Sequence, residues 1–469
     1  MSNVYGWFVR NCSLPLYQKW HGFELLKQVR ALEKSAWLSA DELRSIQWGR
    51  LQRMIRQAYD HVPYYRALFA DSDIVPEEIQ SFEDFGKLPL LTKETLQDRL
   101  DDLLAVNVPR EEHHRGVTSG SSGRPTYYVQ DRPGNRTRAA AGRRLLRMAG
   151  YDFGLRLFYF WRQAPYTVGS DKVTPAEAPE PTAPPALPVR LKRWAYGRFA
   201  VENPVYRVDP TLLTDSEMSE MYRRLKRFRP HLIVSYVNAL YRFAQFLEAE
   251  GLANTVKPRS VIVSSETLYS HQKELMERVF GCRVFNRYGM QETGIIAVEC
   301  PDGEGLHTNT EILYLEYVPV LGGGTQIVVT DLINRAMPLL RYETGDTAEP
   351  INRSCPCGRG LERIRNLQGR IIELLPTRGG GVVNGQLFAT FHWIEGVKQY
   401  QVVQEAVDSF VVRIVRGQGY VEDNLRPMLK TIHEWFGDDT RIEIEYPDEI
   451  PFTKGGKYKL VISAATAST

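Results

Sequence analysis

Leu232-Ile233-Val234, Ala239 to Glu250, Val261-Ile262-Val263, Ser270 to Phe280 and Val284-Phe285 follow one another in the middle of the chain, and this run decides the fold. Short runs of β-branched, leucine and aromatic residues alternate with segments of helical length and apolar spacing, and the connections are short. Two parallel strands need a long crossover, usually a helix, so the alternation predicts a mainly parallel sheet covered by helices. In open sheets of this kind ligands collect beyond the carboxyl ends of the strands. Polar turns fall at such ends: Ser264-Ser265-Glu266 and Tyr288-Gly289-Met290-Gln291-Glu292. A third lies where Leu339-Leu340-Arg341-Tyr342 runs into Glu343-Thr344-Gly345-Asp346.

Toward the N-terminus stands Val117-Thr118-Ser119-Gly120-Ser121-Ser122-Gly123-Arg124-Pro125, with no large apolar side chain among its hydroxyls and glycines. Its amides and hydroxyls suit an anion such as a nucleotide phosphate. Ser/Gly composition equally suits a plain surface loop, and the lysine of the familiar phosphate loop is missing. Tyr127-Tyr128-Val129 reads as a strand. The helix after it carries Arg138, Arg143, Arg144 and Arg147, read as a solvated face rather than a ligand site. From Trp20 to Ala58 apolar residues recur at helical spacing, part of a helical layer over residues 1–100. Asp41 opens its second helix and His61-Val62-Pro63 ends it. Thr92 caps a further short helix. Between Pro165 and Pro188 the chain is rich in Pro, Ala, Thr and Glu, which predicts a mobile surface loop.

A length of 469 residues exceeds one ordinary core and implies two or three compact units. A net charge of +3 is too small at this length for a nucleic-acid footprint, so nucleic acid is excluded as main partner. Apolar runs are broken too soon to span a bilayer, and no signal pattern follows Met1, which predicts a cytoplasmic protein without membrane insertion. Oligomeric state leaves no mark in the sequence.

A Ser/Thr/Gly loop, a Tyr-Gly-x-x-Glu turn, a Tyr-x-Thr-Gly-Asp turn, a Gly369-Arg370 pair and Pro451-Phe452-Thr453-Lys454-Gly455-Gly456-Lys457 occur in that order. The order resembles the adenylate-forming enzyme superfamily. The N-terminal texture, Cys355-Pro356-Cys357-Gly358 and Tyr400-Gln401-Val402-Val403 look like the phenylacetate-CoA ligase family, in its capsular-polysaccharide (CapK-like) branch. The resemblance implies an α/β fold: a large N-terminal domain, 1–369, and a small mobile α+β lid, 370–469. It further implies a ligase that makes an acyl-adenylate from ATP and a carboxylic acid, then passes the acyl group to an amine or to CoA. Cell-surface polysaccharide or a secondary product is the implied setting. An aryl- or acyl-CoA ligase of catabolism is the enzymatic alternative, and a nucleotide-binding pseudo-enzyme the alternative of another class.

By the same resemblance Thr118, Ser119, Gly120, Ser121, Ser122 and Gly123 hold the β- and γ-phosphates, and Tyr288 beside Gly289 offers adenine an aromatic face. Glu292 supplies a carboxylate to Mg²⁺, Asp346 accepts the ribose hydroxyls, and Arg370 stands beside the ribose. Ser265 and Glu266 complete the nucleotide-binding set, and Lys457 reaches the α-phosphate and the substrate carboxylate. This chain departs from the family pattern in three places. Gln291 replaces the usual Thr, Ile371-Ile372 precede the first acid of the hinge, Glu373, and Arg378-Gly379-Gly380-Gly381-Val382-Val383-Asn384 stands where CoA ligases receive CoA.

Five cysteines do not make a disulfide framework. Cys300 and His307 flank a Pro-Asp-Gly turn, and Cys355 and Cys357 follow, a donor set suited to structural Zn²⁺. The alternative is unrelated reduced thiols with His307 as a core histidine. Cys12 and Cys282 look unpaired.

Overall fold

The computed structural model describes residues 4–22, 24–118, 126–161, 205–208, 215–320, 324–368, 374–378, 382–384, 388, 391, 394–451 and 459–464. The loop expected between Pro165 and Pro188 lies outside these. The chain divides into two compact units, one of Met1–Glu316, Val328–Glu343 and Pro350–Asn366, the other of Tyr317–Ile327, Thr344–Glu349 and Leu367–Thr469. The sequence expectation was a cut after residue 369. The long stretch of the second unit starts at Leu367, and the unit also takes in two short earlier segments.

The first unit opens with helices Val4–Phe8, Leu14–His21, Leu25–Ser35 and Ala40–His61. Ser39 starts the last of these with a capping box: its Oγ accepts from Glu42 N at 3.3 Å and Glu42 Oε2 accepts from Ser39 N at 2.8 Å. Leu43, Leu51, Met54, Ile55 and Ala58 form its buried stripe. Pro63 then begins a new helix, Pro63–Asp71, where its missing N–H costs nothing. Thr92 caps Lys93–Asp98 by accepting from Thr95 N at 3.1 Å.

The strands of this unit are β1 (His113–Thr118), β2 (Thr126–Asp131), β3 (Leu157–Phe160), β4 (Val205–Val208), β5 (Leu232–Tyr236), β6 (Ser260–Ser264), β7 (Val284–Met290), β8 (Gly294–Glu299) and β9 (Leu306–Thr308). Next come β10 (Leu313–Pro319), β11 (Thr325–Asp331) and β12 (Tyr342–Pro350), which run from one unit into the other along the chain, and β13 (Arg363–Gln368). In the main sheet β4-β3-β5-β6-β7-β8-β9-β13 lie side by side in that order. The segment from β4 to β7 is parallel, as the alternation predicts, with helices Val237–Ala249 and Ser270–Phe280 as crossovers. From β7 through β8 and β9 to β13 the pairing is antiparallel, so the sheet is mixed. The reversal lies at the tight turn between β7 and β8. A Cβ on Gly289 would stand 2.5 Å from the carbonyl oxygen of Gly294, and Gly294 itself has φ +79°.

Alternate residues of the parallel strands face opposite layers. Leu157, Leu232, Val234, Ile262 and Phe285 pack with Leu145 and Met148 of helix Arg132–Met148 and with Leu43. Phe160 points the other way, onto Phe243 with ring centroids 5.3 Å apart. Truncating such a buried aromatic costs about 3–5 kcal/mol.

Helix Arg132–Met148 corrects one expectation. Arg138 and Arg144 are only 6% and 3% exposed, so they are not a solvated face. Arg138 pairs with the fully buried Asp331. Arg144 holds Glu311 through both oxygens, at 3.1 and 2.8 Å, and reaches Asn309 Oδ1 at 2.8 Å. Ser35 Oγ adds a 2.6 Å bond to Glu311, which ties the helical layer to the sheet. Burial raises the Glu311 carboxyl, but Arg144 and these hydrogen bonds outweigh it and hold the group below its ordinary value.

The second unit has a hairpin of β14 (Leu374–Pro376) and β15 (Val382–Asn384), and a sheet ordered β18-β17-β16-β19 from Arg441–Glu445, Ser409–Arg416, Val397–Ala406 and Val461–Ser463. Helix Arg426–Phe436 buries Met428, Ile432 and Phe436 against it, with Phe436 and Phe410 at 4.7 Å. This is an α+β unit with its own core. Among the described residues no helix is long and apolar enough to cross a membrane.

Candidate active site and metal cluster

β1 and β2 pair from His113↔Asp131 to Thr118↔Thr126, so Thr118 stands at the end of the hairpin from which the connecting loop leaves. Ser119, Gly120, Ser121, Ser122 and Gly123 lie outside the described residues, as do Arg370 and Lys457. Thr126 is fully buried and its Oγ1 accepts from Gln97 Nε2 at 2.8 Å, which fixes the strand leaving the loop. Across the hairpin Tyr128 lies over Gly116, with its Cζ only 2.1 Å from where a Cβ would stand. Only glycine leaves that ring its place.

Tyr288, 8% exposed, ends the regular part of β7, and Gly289, past a bulge in the same strand, is exposed. Glu292 follows in the turn at 4% exposure. Gln130 of β2 holds this turn: its Nε2 donates to the carbonyl oxygens of Glu292 at 2.7 Å and Gln291 at 3.1 Å. Arg138 secures the next residue by donating from Nε to Thr293 O at 2.9 Å. Burial and the nearby Glu292 carboxylate push the Tyr128 phenol up to about 12, against the opposing pull of Arg138. The Tyr-Gly-x-x-Glu turn and the end of the Ser/Thr/Gly hairpin are thus linked through Gln130, Tyr128 and Arg138. Sequence reasoning missed Gln130 and the Arg138–Asp331 pair. A polar residue on a short strand carries no local signal of this kind.

Ser265 and Glu266 stand at the carboxyl end of β6. Ser265 adopts φ +74°, a conformation rare for a residue with a side chain. Glu266 Oε2 accepts from Asn238 N at 2.8 Å, at the start of helix Val237–Ala249, where a carboxylate is favoured. Asp346 belongs to the second unit. There Thr344 Oγ1 accepts from Asp346 N at 3.1 Å and donates to Ile327 O at 2.8 Å, and Gly345 between them has φ +75°. The half-buried Asp346 is therefore carried inside β12, where the sequence reading expects a turn, on backbone fixed by Thr344.

Cys300, His307, Cys355 and Cys357 come together, with their ligand atoms all within 4.8 Å of one another. Cys300 Sγ lies 3.5 Å from Cys355 Sγ, and Cys357 Sγ 3.3 Å from His307 Nε2. His307 Nδ1 faces the carbonyl of Leu361 at 3.3 Å, which leaves Nε2 toward the thiols. Burial depresses His307 to about 4, keeping the imidazole neutral, and raises Cys300 to about 12. Burial also raises Cys357, but hydrogen bonds from the Arg359 backbone and side chain and from the other thiols turn the balance downward. Three thiols and a neutral imidazole at this spacing match a closed tetrahedral Zn²⁺ set. Gly303 is needed here, since a Cβ on it would stand 2.8 Å from Cys355 Sγ.

Comparison with known proteins gives the class. Over 92% of the chain the fold matches 91% of a 2-hydroxyisobutyryl-CoA ligase solved in the postadenylation state with an acyl-AMP, at TM-score 0.69 and 19% identity. The fold is that of the adenylate-forming ligases. Residues 374–464 match the CapK C-terminal domain. Protein CapK of Staphylococcus aureus is 22% identical over 453 residues, 94% of this chain and 92% of its own length. The phenylacetate-coenzyme A ligase of Thermus thermophilus is 27% identical over 383 residues, 78% of this chain and 79% of its own. The chain thus has the fold of the adenylate-forming ligases and is similar in sequence to CapK and to the phenylacetate-CoA ligases.

Proposed function

We propose that this protein activates a carboxylic acid with ATP and transfers the acyl group to CoA or an amine. The observation that carries the reading is the fold shared at TM-score 0.69 with a ligase holding an acyl-AMP, with the motif turns at the carboxyl ends of β6 and β7. In this reading a carboxylate oxygen attacks the α-phosphorus, the bond to pyrophosphate breaks, and the acyl-adenylate stays bound. Thr118 to Gly123 cradle the β- and γ-phosphates with amides and hydroxyls. Tyr288 and Gly289 bound the adenine, Ser265 and Glu266 border the nucleotide, Asp346 accepts the ribose hydroxyls, and Arg370 stands beside the ribose. Glu292, the buried carboxylate on the turn held by Gln130, is the residue that would hold Mg²⁺. When bound, the ion offsets phosphate charge. Lys457 stabilises the charge that develops at the α-phosphate.

Zn²⁺ at Cys300, His307, Cys355 and Cys357 is structural in this reading, because four protein ligands leave no open position. It pins the Pro301 to His307 turn. The resemblance to CapK supports a role in making or decorating a cell-surface polysaccharide, in the cytoplasm where ATP is available. Pyrophosphate release that depends on added carboxylic acid, measured with CoA, with candidate amines and with neither, tests activation and acceptor together. Transfer to CoA alone would place the enzyme with the acyl-CoA ligases. ATP binding without any acid-dependent release would make it a pseudo-enzyme.

A further inference from the structure

At the carboxyl ends of four neighbouring parallel strands the register sets up a transverse row of side chains. Phe160↔Ser235, Tyr236↔Ser264 and Ser264↔Arg287 are paired, so Trp161, next after β3, continues the row Trp161–Tyr236–Ser264–Arg287. All lie on the face that carries Leu157, Val234, Ile262 and Phe285 further back along the same strands. Trp161 and Tyr236 stack with centroids 4.1 Å apart and planes 20° from parallel. The Arg287 guanidinium carbon sits over the Trp161 ring at 5.3 Å. Its backbone is pinned, since Ser264 Oγ donates to Arg287 O at 2.6 Å and Glu299 Oε2 accepts from Asn286 N at 2.9 Å.

Among the described residues the charge of Arg287 meets no counter-charge in this row. The groups that act on it are the phenols of Tyr159 and Tyr236, and burial lowers its pKa. Other buried arginines of the unit meet carboxylates or carbonyl oxygens: Arg138 meets Asp331, Arg144 meets Glu311, Arg341 meets Glu316 at 3.0 Å, and Arg363 donates to the carbonyls of Glu304 and Arg353 at 2.8 and 2.7 Å. A guanidinium held among aromatic rings, facing phenols in place of carboxylates, is a costly arrangement unless an anion completes it. The row stands where open parallel sheets bind ligands. On β7 Arg287 and Tyr288 point to opposite faces, so the row is separate from the aromatic face proposed for adenine.

We propose that Arg287, walled by Trp161 and Tyr236, is an anion subsite for the acid substrate, so that the acid carries a second carboxylate at the end remote from the one activated. This rests on the reading of the protein as a carboxylate-activating ligase. The guanidinium grips the remote carboxylate through paired N–H donors, and the stacked rings flank the linking carbons. The interaction binds the acid without entering the bond-making step, which makes Arg287 a specificity residue.

The test is ATP–pyrophosphate exchange with matched acids: glutarate against pentanoate, and 4-carboxyphenylacetate against phenylacetate. The wild type, Arg287→Leu and Arg287→Lys are compared, with melting temperatures recorded for each. A charged hydrogen-bonded pair of this kind is worth about tenfold to a hundredfold or more in kcat/KM. The wild type is expected to favour the dicarboxylate of a pair by that factor. Arg287→Leu should lose the preference through KM while keeping the monocarboxylate, and Arg287→Lys should fall between. Equal or better use of the monocarboxylates by the wild type overturns the subsite and leaves carboxylate activation standing, and this holds even if Arg287→Leu fails to fold. Absence of exchange with every acid counts against carboxylate activation itself.

Discussion

Cys300 Sγ and Cys355 Sγ lie 3.5 Å apart although 55 residues separate them in the chain. Two thiolates on one tetrahedral Zn²⁺, with Zn–S bonds of about 2.3 Å, stand about 3.8 Å apart. Purified protein is therefore expected to carry zinc at about one ion per chain by elemental analysis. Cys355→Ser should lose the ion and several degrees of melting temperature, because site formation and folding are coupled. Zinc-free wild-type protein, or an unchanged melting temperature in the variant, would remove the site.

Glu362 gives a pH dependence of known sign. Burial raises its carboxyl from 4.5 to about 7, while Arg44 at 3.7 Å pulls it down. Between those values the folded chain binds the proton that the unfolded chain releases, so this group's contribution falls as pH rises through the window and levels off above it. Glu362→Gln should flatten that slope and raise the melting temperature at about pH 8 by roughly 2 °C or more, with little change near pH 4.5. A wild-type curve with the same slope through the window as the variant would exclude a neutral, partly buried Glu362.

Asp346→Ala should weaken nucleotide binding more than folding. Its strand, β12, is held here by Thr344 and the backbone, so the carboxylate can go without unsettling it. Charged hydrogen bonds to two ribose hydroxyls are worth about 1.5–3 kcal/mol each, a loss of about tenfold or more in ATP affinity. Calorimetric titration with ATP decides it, and undiminished affinity in a folded variant would contradict the ribose role.

Much of this was legible in the sequence because local chemistry encodes it. The alternation from Leu232 to Phe285 gives β5, β6 and β7 with their helices, and Cys and His are uncommon donors whose pairing across a turn stands out. What local spacing hides is partnership at long range. Arg138 and Arg144 look like one charged helix face until Asp331, 193 residues away, and Glu311, 167 residues away, are seen to bury them. The turn to antiparallel pairing after β7 is likewise set by the close approach of Gly289 to Gly294, which the motif itself does not announce. Gln130 and Arg287 each act through neighbours supplied by other strands.

Lys457→Ala should impair the first half-reaction alone. An ammonium on the transferring α-phosphate in a water-poor site is worth on the order of a hundredfold to a thousandfold in rate. Pyrophosphate release should fall by that factor while transfer from a supplied acyl-adenylate and ATP binding survive. Equal loss in both half-reactions, or loss in neither, would show that this is not the adenylation lysine.

The measurement that bears most directly on carboxylate activation is ATP–pyrophosphate exchange by the wild-type protein across a panel of carboxylic acids. Exchange is expected with Mg²⁺ and an acid present, together with an acyl-AMP detected by mass spectrometry, and no exchange is expected when the acid is left out. Folded, ATP-binding protein that shows no exchange with any acid, or exchange that proceeds equally without one, would contradict it.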